Sequence, residues 1–358
     1  MSRPSKVFFR PVPDAQPATW PQAVAALLDA ADGLGFAARN DRVAIKVNVG
    51  EAGLTTMLPP EVAGVAARRL RERGAHPFFT DTAVLYSGRR SHGPGHAELA
   101  AEHGFTLERA GAVFVPADGV VGNLEVEVPI GGKHFASVGV AEAIAHSNGA
   151  VVVSHATGHL AAGFGATLKN LGMGCSARKG KLLQHSDTKP FVKDDLCTAC
   201  GACVEHCPTG ALSLEPGGTA RLDESVCTGC GECLAHCRYG AIAFRWDAAP
   251  AILQEKMVEH ALGAARALKG RFVCLLGIVN LTRHCDCWGE GSPRVAADVG
   301  FALSADRGAL DQAAMDLVER AAGRRLDQLA FPELEGLTQL AYAESIGLGR
   351  REYELVEA

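Results

Sequence analysis

The sequence lacks any uninterrupted apolar run approaching the roughly 18 residues of a membrane helix, and its N-terminus has no sustained apolar stretch of the signal-peptide kind. Both absences point to a cytoplasmic protein with no membrane partner. A basic excess is also missing: 35 Lys and Arg stand against 40 Asp and Glu, a net charge of −5. A dedicated nucleic-acid binder usually carries the opposite imbalance, so no nucleic-acid partner is expected. No G-x-G-x-x-G follows the early strands, and there is no Walker A run and no flavin signature. Dinucleotide and P-loop chemistry are therefore unsupported. Cysteine is absent before Cys175, although the chain has 12, and eight of them crowd between Cys197 and Cys237. In a reducing compartment such clusters read as metal ligands or redox groups rather than structural disulfides.

What is present is an apolar content of 47% in 358 residues, ample for a core and for roughly two domains. Short β-rich runs alternate with helical patterns. Residues 43–49 read as a strand, 59–73 as a helix with Pro at its start and Gly74 just past its end, and 76–80 as the next strand. This βαβ rhythm implies a mostly parallel sheet with flanking helices. Residues 124–130 and 133–138 alternate around Gly131-Gly132, a two-residue hairpin signal. Residues 149–154 read as a buried strand feeding a Gly-rich loop and a short helix. Beyond the cysteine-rich stretch, 250–268 reads as a helix, 271–279 as a strand and 308–322 as a helix. Asp306 and Asp311 are expected to cap and flank that last helix. The economical reading is one α/β domain, residues 1–190 and 246–358, interrupted by a small inserted α+β module, 191–245.

The module contains an internal repeat. Cys197, Cys200, Cys203 and Cys207 follow the spacing C-x₂-C-x₂-C-x₃-C, and Cys227, Cys230, Cys233 and Cys237 repeat it. Cysteines two residues apart let a tight loop aim three thiolates at one inorganic core while turn N–H groups face the sulfurs. Gly201 and Gly231 permit the close backbone approach. Paired C-x₂-C units also bind zinc, but two matched runs of four point to iron–sulfur chemistry. The segment resembles a bacterial two-cluster ferredoxin. That resemblance implies two 4Fe–4S clusters, one on Cys197, Cys200, Cys203 and Cys237, the other on Cys227, Cys230, Cys233 and Cys207. Arg238 stands where proline is usual, and a cation beside an anionic cluster should raise its potential. The clusters imply an electron donor or acceptor protein as a partner.

Beyond the module, 154–175 is rich in polar residues at a position expected to end a buried strand, where open α/β sheets bind ligands. His155, His159, Lys169 and Cys175 fall within it. Gly163 and Gly165 would let backbone N–H groups crowd an anion ahead of the following helix, whose first turns carry Lys169. Lys46 with Asn48, and Asp81 with Thr82, end two other strands. A cleft lined by Lys46, Arg89, Arg90, Lys169 and Arg178 would favour a small carboxylate or phosphate substrate. His185 precedes the module, and as a lone histidine reads as structural, although it stands where site and clusters would meet. Cys274 reads as a buried hydrophobe in a strand. Cys285 and Cys287, with Cys175 as a further candidate, are either free thiols or the makings of a third metal site or a redox-active pair.

Together VAIKVNVGEAG (43–53), FFTDTAVLYSGRRS (78–91), SHATGHLAAGFGATLKNLGMGC (154–175), the double cysteine run, CDCWG (285–289) and IGLGRREYEL (346–355) carry a resemblance over nearly the full length. The chain resembles the iron–sulfur family known as domain of unknown function 362, in its ferredoxin-containing form. That family implies no particular reaction. The stretch 159–172, with Lys169 ten residues after His159, is also similar to a segment of the lactate racemase family, which holds a nickel pincer nucleotide near a lysine and histidines. This implies site roles for His159 and Lys169 and nothing about nickel. The combined expectation is a single-electron iron–sulfur oxidoreductase. The alternatives are a non-catalytic carrier that docks a partner and a non-redox enzyme with structural clusters.

Overall fold

A computed structural model describes residues 4–185, 189–288 and 291–358. Gly289 of the CDCWG motif lies outside the described residues. Eight strands form the main sheet: β1 (Ser5–Pro11), β2 (Arg42–Lys46), β3 (His76–Asp81), β4 (Val113–Pro116), β5 (Gly149–His155), β6 (Phe272–Ile278), β7 (Gly300–Ser304) and β8 (Tyr353–Glu357). Their order across the sheet is β8-β1-β7-β6-β5-β2-β3-β4. Strands β6, β5, β2, β3 and β4 are mutually parallel. Only β7 runs against its neighbours, antiparallel to both β6 and β1, so the sheet is mostly parallel.

Burial explains the strand composition. β5 and β6 are buried along their whole length, covered on both faces, and such strands read as continuous apolar runs. On one face lies a core that includes Val24, Leu27, Val62, Leu70 and Leu99, from α1 (Trp20–Ala30), α2 (Pro60–Glu72) and α3 (Gly93–Glu102). The other face buries Leu168, Leu171, Met257, Val258 and Leu310. These come from α4 (Thr167–Gly172), α6 (Pro250–Ala267) and α7 (Arg307–Ala322). Gly172 sits where α4 and α6 touch: a Cβ there would lie 2.2 Å from the Met257 carbonyl oxygen.

Two details differ from the sequence-based expectation. The hairpin at 124–138 is present, but its strands are Glu125–Pro129 and Ser137–Ala141, paired Pro129 to Ser137. The connection is therefore a longer loop through 130–136 rather than a two-residue turn. Its amides at 133–135 donate to the Glu259 carboxylate on α6, and this tertiary anchor outweighs the local Gly-Gly signal. Asp306 caps α7 through the amides of Gly308 and Ala309, whereas Asp311 reaches across to the first amides of α4, at Thr167 and Leu168.

The topology fixes where a ligand would sit. From β2 the chain steps outward through β3 to β4, then returns to the other side of β2 as β5 and continues to β6. Ligands of open α/β sheets bind at the carboxyl ends of strands where the order reverses. Here that place lies beyond the ends of β2 and β5.

The cysteine-rich segment leaves after helix α5 (Arg178–His185). Its first strand, Phe191–Val192, pairs antiparallel with its last, Ile242–Ala243. Between them lie a second hairpin, Leu212–Leu214 with Ala220–Leu222, and two short helices, Ala202–Glu205 and Glu232–His236. A small core of its own holds Cys203, Cys233, Leu212, Leu234 and Ile242, and α5 contributes Leu182 to it.

Candidate functional site

At the switch point is a cleft of about 790 Å³, within the usual range for small-molecule sites. It gathers residues from β2 (Lys46), β3 (Asp81), β5 (His155), the β5–α4 hairpin (His159, Gly165), α4 (Lys169), α5 (Lys181, His185) and the 284–288 loop (Cys285, Asp286, Cys287). Of the sequence-nominated residues, Gly163, Cys175, Arg89 and Arg178 do not line it.

Much of the charge in the cleft is already committed. Lys46 Nζ donates to the Val47 carbonyl at 2.7 Å, to Asn170 Oδ1 at 2.7 Å and to Asp81 at 2.9 Å, which uses all three of its protons. Asp81 also accepts from Arg90 at 3.1 Å and from the amides of Val49 and Thr82. Burial alone would raise the Asp81 pKa, yet the Lys46, His96 and Arg90 partners hold it well below the usual carboxylate range. Arg90 bridges on to Glu51 at 2.9 Å. The two cations are thus matched by two carboxylates, a neutral frame rather than an anion trap. Arg89 pairs with Glu102 outside the cleft, and Arg178 turns toward the module, donating to the Ala235 carbonyl.

His155 is committed too. Its Nδ1 faces the Asp286 carboxylate at 2.9 Å and its Nε2 faces the Val279 carbonyl at 2.7 Å. Both partners are acceptors, so both ring nitrogens carry protons and the ring is an imidazolium. Its pKa is raised because the attraction of Asp286 and these hydrogen bonds outweighs burial. His155 therefore works as a clamp that ties β5 to the 284–288 loop.

His159 and Lys169 remain chemically free. Nδ1 of His159 accepts from the amides of Ala161 and Ala162 at 3.3 and 3.1 Å, which places the ring proton on Nε2. Burial and the nearby Lys169 charge push its pKa well down, so the ring is neutral and Nε2 is a donor. Lys169 Nζ has no hydrogen-bond or ion-pair partner among the described residues, and desolvation pushes its pKa down to about 8. Its stem runs over Gly165, where a Cβ would lie 2.7 Å from Lys169 Cδ. Gly165 is thus a close-approach glycine. Gly163 meets Gly336 instead, its added Cβ falling 2.9 Å from that Cα. The amides that open α4 are satisfied by Asp311, so the anion at that helix start belongs to the protein.

Three lining residues had no signal of their own in the sequence. Lys181 donates to Thr82 Oγ1 and to the Ser176 carbonyl, and burial lowers its pKa to about 8. Tyr86 donates to Glu51 and to the Cys287 carbonyl. Trp246, just past the module, packs edge-on against His185 at 4.6 Å and against Phe244 at 4.6 Å. His185, read from the sequence as structural, lines the cleft. Cys285 and Cys287 are disulfide-bonded to each other. Cys175 is buried, with its thiol toward the Asn170 carbonyl, and Cys274 is fully buried in β6.

In the module, Cys197, Cys200, Cys203 and Cys237 line one small cavity, three from the first run and one from the second. Backbone amides point at the sulfurs: Ala220 at Cys197 (3.4 Å), Ala241 at Cys237 (3.3 Å), Ala211 at Cys207 (3.2 Å) and Gly229 at Cys227 (3.4 Å). Such donors favour thiolates held against a cationic core. Among the described residues, no three His, Cys, Asp or Glu side chains converge on a site for a single ion. The four cysteines stand around a cavity instead, a donor set that fits an iron–sulfur cluster.

A family model described as "Domain of unknown function (DUF362)" matches residues 43–316. The chain belongs to this family. A stretch of 34 residues is 56% identical to a probable ferredoxin of Methanosarcina thermophila. That match takes in 10% of this chain and 59% of the ferredoxin, so the chain spans under two thirds of that relative. Among solved structures, the lactate racemase apoprotein from Thermoanaerobacterium thermosaccharolyticum aligns with a TM-score of 0.37 at 10% identity, over 77% of this chain and 51% of the other. A Thermotoga maritima protein aligns with a TM-score of 0.41 at 9% identity, over 87% and 61%. No helix among the described residues is long and apolar enough to cross a membrane.

Proposed function

We propose that this DUF362 protein is an iron–sulfur oxidoreductase. In this reading residues 191–245 form an electron-carrying module with two 4Fe–4S clusters, and single electrons pass to or from a small anionic molecule in the cleft. Cys197, Cys200, Cys203 and Cys237 would hold one cluster, and Cys227, Cys230, Cys233 and Cys207 the other. When bound, these groups supply one-electron redox chemistry and nothing more. The chain's own residues do the rest. Lys169 offers an ammonium and His159 an Nε2–H, neither paired among the described residues, to an anion, while the frame of Lys46, Asp81, Arg90 and Glu51 holds the walls in place.

The observation that carries this reading is the position of α5. Leu182 packs with Cys203 and Cys233, and Gly231 lies against α5, where a Cβ would meet Leu182 Cδ2 at 3.0 Å and Lys179 Cα at 3.6 Å. On the other side, Lys181 and His185 line the cleft. One helix, about 10–12 Å across with its side chains, therefore separates the cysteines from the ligand space. Electron tunnelling falls off exponentially with distance, so a cleft placed this way favours transfer over a merely structural role for the clusters. An electron donor or acceptor protein docking on the module would complete the path.

The test is anaerobic purification with iron and sulfide analysis and EPR of the reduced protein. About eight irons per chain, and a reduced-state EPR signal that changes when oxalate fills the cleft, are expected. An iron-free, colourless preparation removes the proposal.

A further inference from the structure

Ten of the twelve cysteines form no disulfide, eight in the module and two, Cys175 and Cys274, buried in the core. The other two are joined, Cys285 to Cys287, across a separation of two residues. A disulfide stabilises a fold mainly by restricting the unfolded chain, and the effect shrinks with the loop it closes. One residue between the partners is almost no loop. This bond is poorly placed to be a staple.

Its surroundings suit a different role. Both cysteines line the cleft, and the tripeptide is anchored by atoms other than sulfur. The Asp286 carboxylate is held by His155 and by Asn48 Nδ2 at 3.3 Å. The Cys287 carbonyl accepts from Tyr86, and the Cys285 carbonyl accepts from the Trp288 amide at 2.9 Å. Breaking the S–S bond would leave each of these contacts in place, so the loop is pre-positioned for both redox states. Another wall is α5, whose Leu182 packs with Cys203 and Cys233 of the module.

We propose that Cys285 and Cys287 form a reversible dithiol–disulfide couple that stores two electrons at the edge of the ligand cleft. This rests on the electron-transfer reading above. The step balances as follows. The Cys285–Cys287 bond takes up two electrons, delivered singly from the iron–sulfur module, together with two protons. The S–S bond breaks and two S–H bonds form. The protons come from solvent by way of the cleft, where the Lys169 ammonium, without a hydrogen-bond or ion-pair partner among the described residues, relays them. The couple turns one-electron deliveries into a two-electron equivalent, the form needed to reduce a disulfide or another two-electron acceptor bound beside it. His155 acts here as a positioning residue, through Asp286.

The proposal is tested on anaerobic holoprotein by coulometric reductive titration, alongside maleimide labelling read by mass spectrometry of the 285–287 peptide. The expected uptake is about four electrons per chain, from two one-electron clusters and one two-electron couple. It should fall to about two in the Cys285→Ser/Cys287→Ser double variant, with iron content and cluster EPR unchanged. The peptide should gain no label when oxidised and two when reduced. Equal electron uptake in both proteins at full iron content overturns the couple and leaves the electron-transfer reading standing, as does labelling of both cysteines in the oxidised holoprotein. A chain without iron overturns both.

Discussion

Replacing Lys169 with methionine should weaken anion binding and stabilise the empty protein at the same time. The ammonium is desolvated and has no partner among the described residues, and its pKa falls from 10.5 to about 8. At about 1.4 kcal/mol per pH unit, that fall corresponds to about 3 kcal/mol by which the empty site disfavours the charged form. Since the unfolded chain binds the extra proton between pH 8 and 10.5, the wild-type protein should gain that stability as pH rises through this window. Lys169→Met should carry the gain already at pH 7, as a higher unfolding midpoint. An anion recovers the cost by pairing with the charged lysine. Removing a hydrogen bond to a charged group costs about 1.5–3 kcal/mol, so oxalate measured by calorimetry at pH 7 should bind roughly 10- to 150-fold more weakly to the variant. In the wild type, affinity should hold steady below pH 7 and decline above pH 8, as the ammonium is lost, until it levels off near that of the variant. Lys181 titrates in the same range, but it is held by Thr82 and the Ser176 carbonyl, so the decline should vanish in Lys169→Met. Equal oxalate affinity in the two proteins, or a decline that survives the substitution, would refute the role given to Lys169.

Three other outcomes follow from the geometry. Asp81→Asn leaves Lys46 and Arg90, both under 5% exposed, without their shared carboxylate, and should cost about 3–5 kcal/mol, seen as a large fall in the thermal midpoint. For His155 the pKa is raised, so its contribution is fully present below pH 6.5 and fades as pH rises through the folded value; the midpoint difference between wild type and His155→Gln should be larger at pH 6 than at pH 9. Stripping iron with a chelator under reducing conditions should expose residues 191–245 to limited proteolysis while the α/β core stays resistant, because a cluster-held module loses its folding energy with its metal; equal resistance with and without iron would contradict this.

The sequence was most legible where burial is two-sided. β5 and β6 announce themselves as unbroken apolar runs because helices cover both faces. β1 and β8 do not: they form one edge of the sheet, carry charged residues and are only partly buried, so their pairing depends on a contact between the two ends of the chain. The antiparallel β7 spans only Gly300–Ser304 and is placed by its neighbours rather than by its own pattern. In the cleft, His155, His159 and Lys169 stood out because they follow a buried strand in one polar stretch. Their roles were not legible, because the acceptors that fix the state of His155, Val279 and Asp286, lie just past the end of β6, over a hundred residues away. Lys181 sits in a basic stretch that reads as solvated surface, and only the docking of α5 between module and cleft turns it inward. Gly163 looked like part of an anion cradle because a Gly-x-Gly before a helix has two uses, and the contact that decides between them, with Gly336, is tertiary.

The cysteine-rich segment departs and comes home through one doorway. Phe191 sits opposite Ala243 and Val192 opposite Ile242, and residues facing each other across an antiparallel pair lie only about 5 Å apart. A tight turn would bridge that gap. Every strand of the large sheet lies outside that gap, so shortening the segment to such a turn would alter none of their residues.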